Sequence, residues 1–271
     1  MKLRNIIYGF AATTSALLLA SCSDIDDDNR FIYVKPAQVN RAVLIEDFTG
    51  QRCINCPYAS MEIENIVEQY PENVIAVGIH CGLGVKDTPN SKYQGLMTDT
   101  GNEYYKAWGS PGQPAGIVNR NTSSTVAYTQ WANLVRTEIQ KTAPLSISVS
   151  NNYNESDRTV NIAVEAKGTN GNTEGKLEVW LIEDNIVSIQ EMPKDLGGGR
   201  KYDYVHNHVF RANVTSDLWG DPITVEEGET TSKTYTYTIP EKWNADNVSV
   251  VAFVTDSNNR NVQQVTKKAI K

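Results

Sequence analysis

Two thiols three positions apart, Cys53 and Cys56, offer this chain its clearest chemistry, in the run Gln51-Arg52-Cys53-Ile54-Asn55-Cys56-Pro57. Such a pair can cycle between dithiol and disulfide, supply half of a metal knuckle, or close a static disulfide. The elements around it bear on the choice. Residues 42–48 read as a central strand, with Val43 and Ile45 on one face and Leu44 and Phe48 on the other. Beyond Cys56 the apolar residues Ala59, Ile63, Ile66, Val67 and Tyr70 fall at helical spacing. Pro57 stands in the first turn, where its missing N–H breaks no helical bond. A thiol at a helix N-terminus feels the positive end of the dipole, which can lower its pKa from ~8.5 into the range ~3.5–7.5. In a redox reading Cys53 is the attacking thiolate and Cys56 the resolving thiol. The strand also carries two acids, Glu46 and Asp47, and a strand covered on both faces buries at least one of them. Asp47, held beneath the pair, could take the proton from Cys56, with its own pKa raised by burial.

Other candidates are weaker. A zinc knuckle needs a second ligand pair, and His80-Cys81 cannot chelate well because neighbours on a strand point to opposite faces. Cys81 reads as a buried free thiol near the pair. His206-Asn207-His208 places two imidazoles on one strand face, a weak candidate for a transition metal and a better one for a hydrogen-bonded cluster. Gly197-Gly198-Gly199 precedes no helix, so it reads as a flexible loop and not a phosphate cradle. No cofactor is expected.

Taken in order, residues 31–34 could add an edge strand, and 42–48 lead into the cysteine helix and a second strand at 74–79. A loop with Gly82, Gly84 and Pro89 precedes a helix within 94–108. A strand at 115–119 and a short one at 125–128 form a hairpin, and Trp131, Leu134, Val135 and Ile139 mark a closing helix. This order, with Asp47-Phe48 six residues ahead of Cys53, resembles thioredoxin. Gln113-Pro114 before a strand is similar to the cis-proline loop of that fold. The resemblance implies that Pro114 faces the cysteines, keeps a backbone N–H away from the sulfurs and offers an edge to a substrate backbone. The stretch between Cys56 and Pro114 is longer than in a minimal thioredoxin, which implies an insertion between Gly82 and Tyr104. Arg52 stands where that family has tryptophan, and Ile54-Asn55 replaces Gly-Pro, so no redox potential carries over.

After Pro144 the pattern becomes alternating, at 145–149 and 160–164, with further strands at 177–184, 205–211, 234–239, 248–255 and 261–269. Seven short strands between polar turns predict an immunoglobulin-like β-sandwich without an inter-sheet disulfide, with Trp180 in its core. The expected fold class is therefore α/β plus all-β. Its divisions are a signal peptide at 1–21, a tether at 22–40, a thioredoxin-like domain at 41–143 and the sandwich at 144–271.

At 271 residues the chain can bury a substantial core, and an apolar share of 40% is ordinary for a globular protein. The net charge of −7 argues against nucleic acid as a partner. Lys2, Arg4 and the apolar run 6–20 have the form of an export signal. Leu19-Ala20-Ser21-Cys22 resembles a bacterial lipobox, which implies cleavage before Cys22, its acylation, and outer-membrane lipid as a partner. The acidic run 24–28 resembles the surface-export signal of Bacteroidetes lipoproteins and implies display on the cell exterior; a periplasm-facing anchor is the alternative. Both are compartments where disulfides persist.

The segments EDFTGQRCINCP, IHCG, NEYYKAWGSPGQPAGIVNR and YVHNHVFR together resemble the outer-membrane protein twenty-eight family of Bacteroidetes lipoproteins. That resemblance implies an outer-membrane location and little about biochemistry. Two readings follow. In one, the chain exchanges disulfides with a protein thiol partner. In the other it is a surface binding or adhesion module in which the cysteines are only structural.

Overall fold

The computed structural model describes residues 41–271, all within one compact unit. Cys22, the export signal, the tether and the strand expected at 31–34 lie outside the described residues. Strand β1 (Val43–Thr49) is followed by helix α1 (Cys56–Gln69) and strand β2 (Val74–His80), which pairs parallel to β1. Helix α2 (Asp99–Ala107), strand β3 (Ala115–Val118), antiparallel to β1, and helix α3 (Trp131–Glu138) complete this part.

Strands β4 (Leu145–Asn154), β5 (Thr159–Gly168) and β6 (Thr173–Glu183) follow, then a hairpin of β7 (Ile186–Met192) and β8 (Gly199–His206). The chain ends with β9 (Val209–Asn213), β10 (Asp221–Val225), β11 (Thr230–Thr238), β12 (Val248–Asp256) and β13 (Val262–Ala269).

The described chain is thus mostly β. Its largest sheet runs β13-β12-β6-β9-β2-β1-β3, with β10 also on β6, and so joins strands from both sides of Pro144. Val262 N–H donates to the Asn119 carbonyl at 2.9 Å, which brings the two ends of this sheet together at one point. A second sheet, β11-β5-β4, packs Val160, Ile162, Val164 and Ala166 against Leu177, Val179, Val250 and Val254, an arrangement compatible with a β-sandwich.

β1 has the two-faced burial its sequence predicts. Val43 and Ile45 pack with Ala59, Ile63, Trp131 and Val135 of α1 and α3. Leu44 and Phe48 pack with Tyr104, Trp180, Phe210 and Phe253. Trp180 is fully buried, but in the core shared with β1 and β2 and not between the sandwich sheets.

Several sequence expectations are corrected. Helix α2 starts only after the Thr98 cap; a Cβ on Gly95 would lie 2.2 Å from the Lys86 carbonyl carbon, so the preceding stretch runs tight against the 86–87 backbone. The strand at 125–128 reduces to one bridge, Gly116–Val126, because Tyr128 opens a 3₁₀ turn leading into α3. The strand at 205–211 is broken at Asn207-His208, where His208 has φ of +57°. Ten strands, not seven, follow Pro144, the additions being β7, β10 and most of β8. Gly197, Gly198 and Gly199 turn the β7–β8 hairpin, all at positive φ that other residues adopt only with strain.

Candidate functional site

Cys53 and Cys56 form a disulfide with a Cα–Cα distance of 5.4 Å. Cys56 is the first residue of α1, Pro57 sits in its first turn, and no acid there offsets the positive end of the helix. The cysteines are 2% and 1% exposed, whereas the Ile54 between them is 54% exposed. The bridge is therefore covered, and a partner would meet Ile54, Asn55 and Arg52 first.

The cover comes from two directions. Arg52 N–H donates to the Leu83 carbonyl at 2.9 Å. From the β7–β8 hairpin, Gln190 Nε2 donates to the Cys53 carbonyl at 2.8 Å, and Glu191 N–H donates to the Gln51 carbonyl at 2.9 Å. Tyr58 of α1 donates to Asp195 at the tip of that hairpin.

The two acids of β1 are both buried and meet opposite fates. Glu46 points to the face where Arg120 donates to it from Nε at 2.8 Å and from Nη2 at 2.9 Å. Arg120 also pairs with Glu178 of β6, with Trp180, Trp219 and Phe253 around the guanidinium. Burial pulls the Arg120 pKa down, but the Glu178 and Glu46 carboxylates outweigh it and hold it above its ordinary value. Burial lifts Glu178 to about 7 against the opposing pull of Arg120.

Asp47, on the other face, has no charged partner, and its Oδ1 has no hydrogen bond. Burial pushes its carboxyl up to about 8, so it carries a proton at neutral pH.

The Gln113–Pro114 peptide is cis, and Pro114 leads directly into β3, whose Ala115 pairs with Phe48. Gln113 Nε2 donates to the Thr49 carbonyl at 2.6 Å and the Cys81 carbonyl at 3.1 Å, and its Oε1 accepts from Leu83 N–H at 2.8 Å. The proline segment is thereby tied to the ends of β1 and β2. Cys81 is a buried free thiol; burial, then the Asp47 charge, push it above its ordinary pKa.

The two imidazoles of 206–208 do not stand on one strand, since β8 ends at His206 and β9 begins at Val209. His208 lies beyond the end of β8, its ring 3.1 Å from Asp184, while the His206 ring meets His80 at 5.2 Å. The break at Asn207 separates them. Among the described residues no group of three acidic, histidine or cysteine side chains could hold a metal.

Sequence reasoning missed Arg120 and Glu178, although two acids in a buried strand already called for a cation. It weighed His80 only as a metal ligand, and did not foresee that His80, Gln190 and Tyr204 gather beside Asp47. Their only sequence signal lies within the segments IHCG and YVHNHVFR and at the polar Gln190. Among the described residues no helix is long and apolar enough to cross a membrane.

No curated protein matches the chain. HBP35 of Porphyromonas gingivalis superposes with a TM-score of 0.66 at 18% identity, over 86% of this chain and 76% of that one. A crystal structure of an Agrobacterium tumefaciens protein gives a TM-score of 0.52 at 16% identity, over 87% and 97%. These two likenesses are of fold. A domain of the outer membrane lipoprotein Omp28 from Porphyromonas gingivalis matches over 48% of this chain and 89% of that one, at 24% identity and a TM-score of 0.34. The model of outer membrane protein Omp28 matches residues 101–271, well over half of the chain, and the protein therefore belongs to the Omp28 outer membrane protein family.

Proposed function

We propose that the protein is an outer-membrane lipoprotein, anchored through acylated Cys22, whose thioredoxin-like region 41–143 exchanges disulfides with a protein partner. The carrying observation is the Cys53–Cys56 disulfide at the N-terminus of α1, with a protonated, partnerless carboxyl on the strand leading into it. The cis Gln113–Pro114 peptide, tied to Thr49 at the end of that strand, adds support.

In the oxidised form a partner thiolate attacks Cys53 Sγ, the bond to Cys56 Sγ breaks, and the leaving Cys56 thiolate takes the proton of Asp47. The partner's second thiolate then attacks its own sulfur in the mixed disulfide and expels the Cys53 thiolate. Two electrons pass from partner to protein, and the partner is left with a disulfide. In the reverse direction Cys53 is the nucleophile, Cys56 resolves, and the Asp47 carboxylate accepts the proton.

A second reading, a surface binding or adhesion module with a structural disulfide, is favoured by the burial of both cysteines and the clamp of Gln190 on the Cys53 carbonyl. Equilibration of the pair against a thiol redox buffer separates the two. Exchange predicts a potential between those of thioredoxin and DsbA, about −270 to −120 mV, and a value below about −300 mV refutes turnover.

A further inference from the structure

On the face of the β1–β2 pair that α1 covers, Asp47 lies opposite Gly78 and Thr49 opposite His80. A cavity of about 40 Å³ opens between them. Its outer side is formed by Ser60 and Glu64 of α1 and by Tyr204 and His206 of β8. Gly78 lines it, and a Cβ built there would find no atom nearer than 3.8 Å.

A water needs only ~10–15 Å³ of space for its centre, so the cavity has room for at least one, and an internal water needs at least two polar partners. Two stand unmatched. Asp47 Oδ1 and His80 Nδ1 have no hydrogen bond, although the residues are only 2% and 4% exposed. Buried polar atoms are almost always satisfied, and an orphan pair beside a polar cavity of this size marks a water.

We infer that the cavity is a water site that bridges the Asp47 carboxyl to the His80 ring, and that His80 is the residue positioning this water. Asp47 then exchanges its proton with solvent through the opening between α1 and β8 and not through the disulfide. The carboxyl proton passes to the water as the water's own proton moves outward, so charge balances at each transfer. His80 holds the water without changing charge.

The surroundings fit that role. Lining the site are His206, whose ring meets His80 edge-on, Tyr204, His208 and Glu64, while Arg211 of β9 acts on His80 and the Cys81 thiol couples to Asp47 only through charge. Burial, then His206 and Arg211, hold His80 well below its ordinary pKa, so its ring stays neutral. The purpose of the site, reloading the proton that Cys56 takes, rests on the exchange reading above.

The test is the titration midpoint of the Asp47 carboxyl, read by ¹³C NMR in the disulfide form of the full chain. Gly78→Ala adds a methyl that finds no atom nearer than 3.8 Å and takes room from the cavity on its β2 side, and it is expected to raise the midpoint by about one unit. His80→Leu is expected to act in the same direction, and His80→Gln, which keeps a polar atom, to stay within about 0.3 units of wild type. Unmoved midpoints in both Gly78→Ala and His80→Leu, or an equal shift in His80→Gln, would overturn the water site. The reading needs no turnover, so a structural disulfide would leave this result standing, and a favourable potential could not rescue a failed one.

Discussion

Asp47→Asn isolates the cost of keeping a carboxyl where nothing compensates its charge. The group is 2% exposed and lacks a cation, and burial moves its pKa from 3.8 to about 8. A raised carboxylate pKa means that the folded state holds a proton which the unfolded chain releases. Between pH 3.8 and about 8 the folded state binds more protons, so this group's contribution falls as pH rises through that window. At pH 7 the unfolded carboxyl is ionised by 3.2 pH units, and at 1.36 kcal/mol per unit the contribution has dropped by about 4 kcal/mol from its acid value. Asparagine imitates the protonated acid in shape and cannot ionise. Urea unfolding of the oxidised chain across pH 4 to 9 is the assay. The variant is expected to match wild type near pH 4 and to exceed it by about 4 kcal/mol at pH 7, with the difference levelling off above pH 8. Parallel pH profiles for the two proteins would refute the account of Asp47 as a buried, protonated acid.

Two other outcomes follow from the same geometry. Arg120→Leu leaves Glu46 and Glu178 facing each other in the core without a cation, and is expected to cost about 3–5 kcal/mol in urea unfolding at pH 7; a loss under about 1 kcal/mol would refute the load assigned to this cluster. Cys81, held above its ordinary pKa and fully buried, is expected to resist iodoacetamide in the native chain at pH 8 and to label once the chain is unfolded in urea. Mass spectrometry reads this directly, and equal labelling of Cys81 would contradict its burial.

The fold explains why some of these features were legible and others not. Local pattern carried β1, α1 and β2, because alternation, helical spacing and the N-terminal proline act within a few residues of each other. Local pattern also exaggerated. The sequence around His206 and His208 reads as one strand, but the hydrogen bonding of Gly78 N–H to the His208 carbonyl, at 2.8 Å, accompanies a left-handed turn at that residue. The β7–β8 hairpin, rich in exposed polar and aromatic residues, gave no clean periodicity, so the cover it places over the cysteine loop could not be foreseen.

By itself the sequence determined the cysteine spacing at a strand-to-helix junction, the two acids ahead of it, the proline before β3 and the change to alternating strands after Pro144. All of these depend on neighbours close along the chain. Only the tertiary structure decided which acid finds a cation. Side chains at adjacent positions of β1 leave from opposite faces, so Glu46 meets Arg120 and Glu178, while Asp47 meets a small cavity beside His80. Those partners lie 33 to 132 positions away in the chain, and only strand pairing over such distances brings them together.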